Sequence, residues 1–168
     1  MKLRRAAPLD AAKLALIGAA SFLETFANDH PGDALVAFVA DYHSVEAWQA
    51  TLADEAKDVW IVEEIAGSPI GYAVLAPASL PGTGPGDAEL KRIYLLSKWH
   101  ATGMGKAMFD TAEGAARARG ATRLVLSVYT RNARAIRFYE KNGFVMIGEA
   151  IFAEFPVEFA DHVMAKVL

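Results

Sequence analysis

The chain contains no cysteine, which excludes disulfides, thiolate zinc sites and a cysteine nucleophile. Histidine is sparse: His30, His43, His100 and His162 are scattered without an H-E-x-x-H pair, and no metal site is expected. Neither sign of charge dominates. The formal net charge is -3, with acids and bases interspersed, so there is no basic face for a nucleic acid backbone. No apolar run reaches the length of a membrane span. The opening MKLRRAAPLDAAKLALIGAASF has the basic-then-apolar order of a signal peptide, but Asp10 and Lys13 interrupt it. Repeats, low-complexity segments and linkers are also missing. The expectation is a soluble, cytoplasmic protein with one domain over residues 1–168, long enough to bury roughly two thirds of its unfolded surface.

What is present alternates between two periods. Leu9, Ala12, Leu16, Ala19, Leu23 and Phe26 recur at spacings of three and four, predicting a helix to about Ala27 that buries this face. A short strand over Leu3 to Arg5 precedes it, and a helical stretch from Asp33 to Asp54 follows, with a break near His43-Ser44. VWIVEEIAGSPIGYAVLAP reads as a hairpin turning at Gly67-Ser68-Pro69, and Gly82 to Asp87 as a loop. Ala88 to Leu96 is the next strand, Met104 to Gly120 a helix, Thr122 to Thr130 a strand, and the run from Ala133 to Asn142-Gly143 a helix. Phe144 to Phe152 and Asp161 to Leu168 complete an α/β (α+β) fold, with a mixed, mostly antiparallel sheet of about seven strands and about four helices.

The stretch KWHATGMGKAMF places paired glycines between a strand and a helix, where free helix N–H groups make an anion site. It is not a P-loop, because Ala107 follows Gly105-Lys106 where a hydroxyl residue is needed. Nor is it a dinucleotide fingerprint, since Met108 stands where a third glycine belongs. From the residues alone, the turn either holds a phosphate or merely starts a helix.

ELKRIYLL, then His100-Ala101-Thr102-Gly103-Met104-Gly105, then NARAIRFYEKNGF together resemble the GNAT superfamily of acyl-CoA-dependent N-acyltransferases over nearly the whole chain. The resemblance implies a single GNAT domain that binds acetyl-CoA as cosubstrate and passes the acetyl group directly to a primary amine. The family motif is Arg/Gln-x-x-Gly-x-Gly/Ala, whose loop and helix start hold the coenzyme A pyrophosphate. Here it corresponds to His100, Ala101, Thr102, Gly103, Met104, Gly105 and Lys106. His100 departs from Arg or Gln, removing one side-chain contact, and Ser97 stands where many members have proline. By the same resemblance, the backbone of Ile93, Tyr94 and Leu95 pairs with the pantetheine amides and the acetyl carbonyl. Asn132 and Ala135 lie beside the pantetheine arm, and the Tyr139 hydroxyl faces the coenzyme sulfur as general acid. Each has a plainer alternative: Asn132 as a helix cap, Tyr139 as a core aromatic, Ile93 to Leu95 as buried strand.

Glu89 opens the same strand, either as a carboxylate base or as a solvated strand end. Direct attack on a thioester needs a deprotonated amine, an oxyanion donor and a protonated leaving thiolate, but no covalent intermediate. The absence of cysteine and of a G-x-S-x-G elbow agrees with direct transfer.

SFLETFANDH, ELKRIY and the MAKVL ending look like a branch related to the polyamine (spermidine and spermine) acetyltransferases. Glu24 and Glu154, with Asp29, Glu158 and Asp161, are then candidates to attract a polycation. A protein N-terminus, a lysine, another small amine and a non-catalytic acyl-CoA sensor are the alternatives, and a homodimer is left open.

Overall fold

The computed structural model describes residues 1–152 and 159–168. In chain order the elements are β1 (Lys2–Arg5), α1 (Ala11–Phe26), α2 (Gly32–Tyr42), α3 (Val45–Ala53), β2 (Asp58–Glu63), β3 (Pro69–Pro77), β4 (Asp87–Leu95), α4 (Met104–Ala118), β5 (Arg123–Tyr129), α5 (Ala133–Lys141), β6 (Val145–Phe152) and β7 (Phe159–Val167). The strands form one seven-stranded sheet in the order β1-β2-β3-β4-β5-β7-β6. The α/β class and the mostly antiparallel sheet agree with the sequence; β4 and β5 are parallel. Among the described residues there are five helices, since the stretch after Asp33 breaks at His43 and Ser44 as the sequence indicates. Ser44 Oγ caps α3 by accepting from the Ala47 N–H at 3.2 Å. No helix is long and apolar enough to cross a membrane among the described residues.

The chain forms two compact units, Met1–Leu75 with Arg92–Ala112, and Ala76–Lys91 with Glu113–Leu168. In the first, β2 pairs antiparallel with β1 and β3, and the β2–β3 turn has Gly67 at φ 84 with Glu64 N–H donating to Ser68 O. Leu96 N–H donates to Ile70 O, and a Cβ on Gly71 would lie 2.8 Å from Tyr94 O, so close backbone approach requires glycine there. Ala11, Leu14, Ile17, Trp48, Val59, Ile61, Tyr72 and Val74 make its core.

One expectation fails here. Leu9, Leu16 and Leu23 are exposed, Ala12 is exposed and Ala19 half-buried; of the predicted stripe only Phe26 is buried. The buried face is Ala11, Leu14, Ile17, Gly18, Ser21, Phe22 and Phe26. An Ala/Leu-rich helix carries two apolar stripes of the same period, and packing selects the one with the aromatics: Phe22 stacks on Phe38 of α2 at 4.0 Å. Arg4 closes the end of this core, gripping Asp10 through two nitrogens at 2.7 Å each and Glu63 at 2.8 Å. Arg4's hydrogen bonds hold the Asp10 carboxyl down at about 2.

In the second unit, β7 lies between β5 and β6, antiparallel to both. Leu80, Val125, Ala150, Val163 and Ala165 cluster on one face. Asp87 and Arg123 join the start of β4 to β5 by a bidentate pair at 2.6 and 2.8 Å. Gly120, at φ 80, ends α4 two residues beyond its last helical residue.

Candidate active site

The ladder between β4 and β5 covers only Asp87↔Arg123, Ala88↔Leu124 and Glu89↔Val125. Ile93, Tyr94 and Leu95 take no part in it and are half-buried. Their strand runs directly into a short turn of 3-10 helix, Ser97–Trp99, and then the paired glycines.

This turn is fixed by four side-chain clamps. Glu24 of α1 accepts from Ser97 N–H at 3.0 Å and from Ser97 Oγ at 2.6 Å. Trp99 Nε1–H donates to Glu64 at 2.5 Å. His100 Nε2 donates to Leu95 O at 2.7 Å, and Thr102 Oγ1 donates to Trp99 O at 2.7 Å. These contacts hold Ala101 at φ 64, a left-handed conformation that costs a residue with a Cβ about 1–2 kcal/mol. His100, unusual for its motif position, thus anchors the turn to β4.

The two glycines have different reasons. Gly103, at φ 83, supplies a conformation, and its carbonyl accepts the Ala107 N–H at 3.0 Å to start α4. Gly105 has ordinary φ, and a Cβ built there meets nothing within 4 Å. Its lack of a side chain leaves space. The amides of Gly103, Gly105 and Lys106 have no hydrogen-bond partner among the described residues, as first-turn donors lack one within a helix. Met104 N–H is weakly engaged by Thr102 Oγ1 at 3.4 Å. Lys106 Nζ pairs with Asp110 one turn along α4, at 2.5 and 2.7 Å. The result is a pre-ordered row of N–H donors, suited to an anion.

The second unit holds the remaining sequence-predicted residues. Glu89 is buried, not a solvated strand end. Its Oε2 accepts from Ser79 N–H at 2.9 Å and Ser79 Oγ at 3.0 Å, and its Oε1 lies 3.5 Å from Lys91 Nζ. The signal for Ser79 was absent from the sequence, because it comes from a loop rather than from a motif. Asn132 Oδ1 caps α5 by accepting from Ala135 N–H at 3.1 Å, which leaves its amide NH2. Tyr139 is buried, its ring between Phe138 and Phe144 at 5.6 and 5.7 Å. Asp161 on β7 has its carboxyl pushed up by burial, against a hydrogen bond from Ser127 that lowers it. Glu154 and Glu158 lie outside the described residues. No cluster of three or more metal-ligating side chains occurs among the described residues.

A family model described as acetyltransferase (GNAT) family matches residues 19–144, well over half of the chain. An uncharacterized N-acetyltransferase of Mycobacterium bovis is 35% identical over 99 residues, covering 59% of this chain and 60% of that protein. The chain thus matches less than two thirds of the length of that relative. Among solved structures, the PaiA N-acetyltransferase of Thermoplasma acidophilum in complex with coenzyme A superposes with a TM-score of 0.81 at 20% identity, covering 99% of this chain and 98% of the other. A GCN5-related N-acetyltransferase of Rhodopseudomonas palustris gives 0.76 at 25% identity, covering 99% and 95%. With the strand, the clamped glycine turn and the helix start in the order that its motif requires, this chain belongs to the GNAT acetyltransferase family.

Proposed function

We infer that the protein is an acetyl-CoA-dependent N-acetyltransferase that passes the acetyl group directly to a primary amine, acting as a single cytoplasmic domain. The observation that carries this is the clamped turn, with the amides of Gly103, Gly105 and Lys106 open to a pyrophosphate. Coenzyme A and acetyl-CoA chemistry come from the family and from a neighbour solved with coenzyme A. In this reading Ile93, Tyr94 and Leu95 offer backbone groups to the pantetheine arm, and Asn132 and Ala135 flank it. Tyr139 protonates the departing thiolate, and Glu89 accepts the ammonium proton, directly or through water. The polyamine acceptor is the finer reading, supported by the resemblance of the first helix and the last strand. Glu24, its leading acid, also frames the turn, its two oxygens accepting from the neutral Ser97 N–H and Oγ.

The test uses acetyl-CoA with the whole chain. Acetyl-CoA should raise the melting temperature, and free thiol should appear when amines are added. Gly105→Val should fold, since its side chain meets open space, yet lose the acetyl-CoA-dependent rise because the branched Cβ occupies the cradle. A rise that persists in this variant overturns the pyrophosphate assignment. Binding without thiol release, across a broad amine panel, would mark an acyl-CoA sensor instead.

A further inference from the structure

The first unit contains three arginines, and their circumstances differ. Arg4 grips Asp10 and Glu63, and Arg5 pairs with Asp58. Arg92, on β4 immediately before Ile93, has no hydrogen bond or ion pair among the described residues. It is half-buried, with its guanidinium carbon 5.4 Å from the centroid of the Trp48 ring. Trp48 and Tyr72 are fully buried and meet edge to face at 5.2 Å, Tyr94 stacks on Tyr72 at 5.5 Å, and His43 lies 5.9 Å from Trp48. Within this cluster the Trp48 Nε1–H, though buried, finds no hydrogen-bond partner among the described residues, whereas the Tyr72 hydroxyl meets Ser21. A buried donor without an acceptor costs about 1–3 kcal/mol, so groups left this way call for an explanation.

We propose that Arg92, seated on Trp48, is the carboxylate anchor of the acceptor site, and that the acceptor is an amine bearing a carboxylate, such as an amino acid. The proposal rests on the acetyl-transfer reading above. A guanidinium seated over an aromatic ring can turn its N–H fork outward to a planar bidentate partner, which a carboxylate matches and an ammonium does not. It also repels a polycation. The segment that follows, Ile93 to Leu95, is the one that carries the thioester in that reading. In the reaction the ammonium first gives a proton to base, and the neutral nitrogen adds to the thioester carbon. The C–S bond then breaks with its electron pair on sulfur, and the surplus proton on nitrogen ends on that sulfur. Arg92 touches the carboxylate and none of these atoms, so it determines specificity.

The experiment measures kcat/KM for a series of amino acids, each against the amine in which hydrogen replaces its carboxylate, with acetyl-CoA fixed. The wild type should prefer the acids, and Arg92→Gln should cut the acid-to-amine ratio about 10- to 100-fold, the range expected for a hydrogen bond to a charged group. Arg92→Lys should restore part of it. Without acetyl-CoA, the preferred amino acid should change tryptophan fluorescence in the wild type and much less in Arg92→Gln. A wild-type preference for the decarboxylated amines or for spermidine, or an unaltered ratio in Arg92→Gln, overturns the proposal while leaving acetyl transfer intact. Should Arg92→Gln fail to fold, the wild-type preference and Arg92→Lys still decide it. No thiol release from any amine, and no stabilisation by acetyl-CoA, would overturn both readings together.

Discussion

The two halves of β4 are built on opposite terms. From Asp87 to Lys91 every charge is spent within the chain: Asp87 on Arg123, Glu89 on Ser79 and Lys91. From Arg92 through the glycine turn, one guanidinium and the amides of Gly103, Gly105 and Lys106 have no hydrogen-bond partner among the described residues. Unpaired donors gathered along one strand and the turn that follows it are the groups that a ligand can engage. In the first half the charges hold the strand in place. In the second, side chains such as Glu24, Glu64 and His100 are spent on the turn's frame so that its amides can stay open.

Tyr139 is where this contrast can break, because it lies in the second unit, buried between two phenylalanines. If it is the general acid, Tyr139→Phe should keep the fold and acetyl-CoA binding while kcat falls about 10²- to 10⁴-fold. A kcat within twofold of wild type removes the acid role and leaves Tyr139 as core. Glu89 should give a smaller, mixed effect. Because Oε2 accepts two hydrogen bonds from Ser79, Glu89→Gln can keep both through its amide oxygen but loses the charge facing Lys91. A modest fall in melting temperature, with kcat/KM dropping and its requirement for basic pH moving upward, would assign it both tasks. A lower melting temperature with an unaltered profile would leave Glu89 a strut, and give proton removal to water or another carboxylate.

The order of strands and helices was legible because hydrophobic period and turn chemistry are local. Gly67, Gly103 and Gly120 stand at positive φ where turns were expected. The face of α1 was not legible: Leu16 and Leu23 match the helical period as well as Ile17 and Phe22 do, and only Phe38 and the sheet decide between them. The cradle was visible as a motif, but its clamps were not, since Glu24 lies 73 residues from Ser97 and Glu64 lies 35 from Trp99. Glu24 shows the consequence. Read from sequence it is a candidate acid for a cationic substrate; in the fold its carboxylate also brackets the turn. Arg92 was passed over because a lone arginine in a strand carries no pattern. Its meaning depends on its having no carboxylate partner among the described residues, which only the folded chain can show.

The smallest expected effect sharpens the contrast beside Arg92. His43 is buried against Gly18, where a Cβ would lie 2.1 Å from its Nδ1, and among Phe22, Phe38 and Trp48. Burial, and secondarily the charge of Arg92, pushes the imidazole down to about 3. Between there and the ordinary value of 6.5 the unfolded chain takes up a proton that the native chain refuses. Stability contributed by neutral His43 is therefore complete above that ordinary value and is lost progressively as pH falls, at up to about 1.4 kcal/mol per pH unit. Urea midpoints at pH 7 and pH 5 stay above the range where Asp10, held near 2, begins to matter. Over that interval His43→Leu should lose about 2 kcal/mol less stability than the wild type. Arg92→Gln should recover only a minor part of that difference, because burial is the larger cause. Equal losses in wild type and His43→Leu would mean that His43 is protonated in the native state. The aromatic cluster would then already carry a second cation, and Arg92 would not be the single charge that defines what this site accepts.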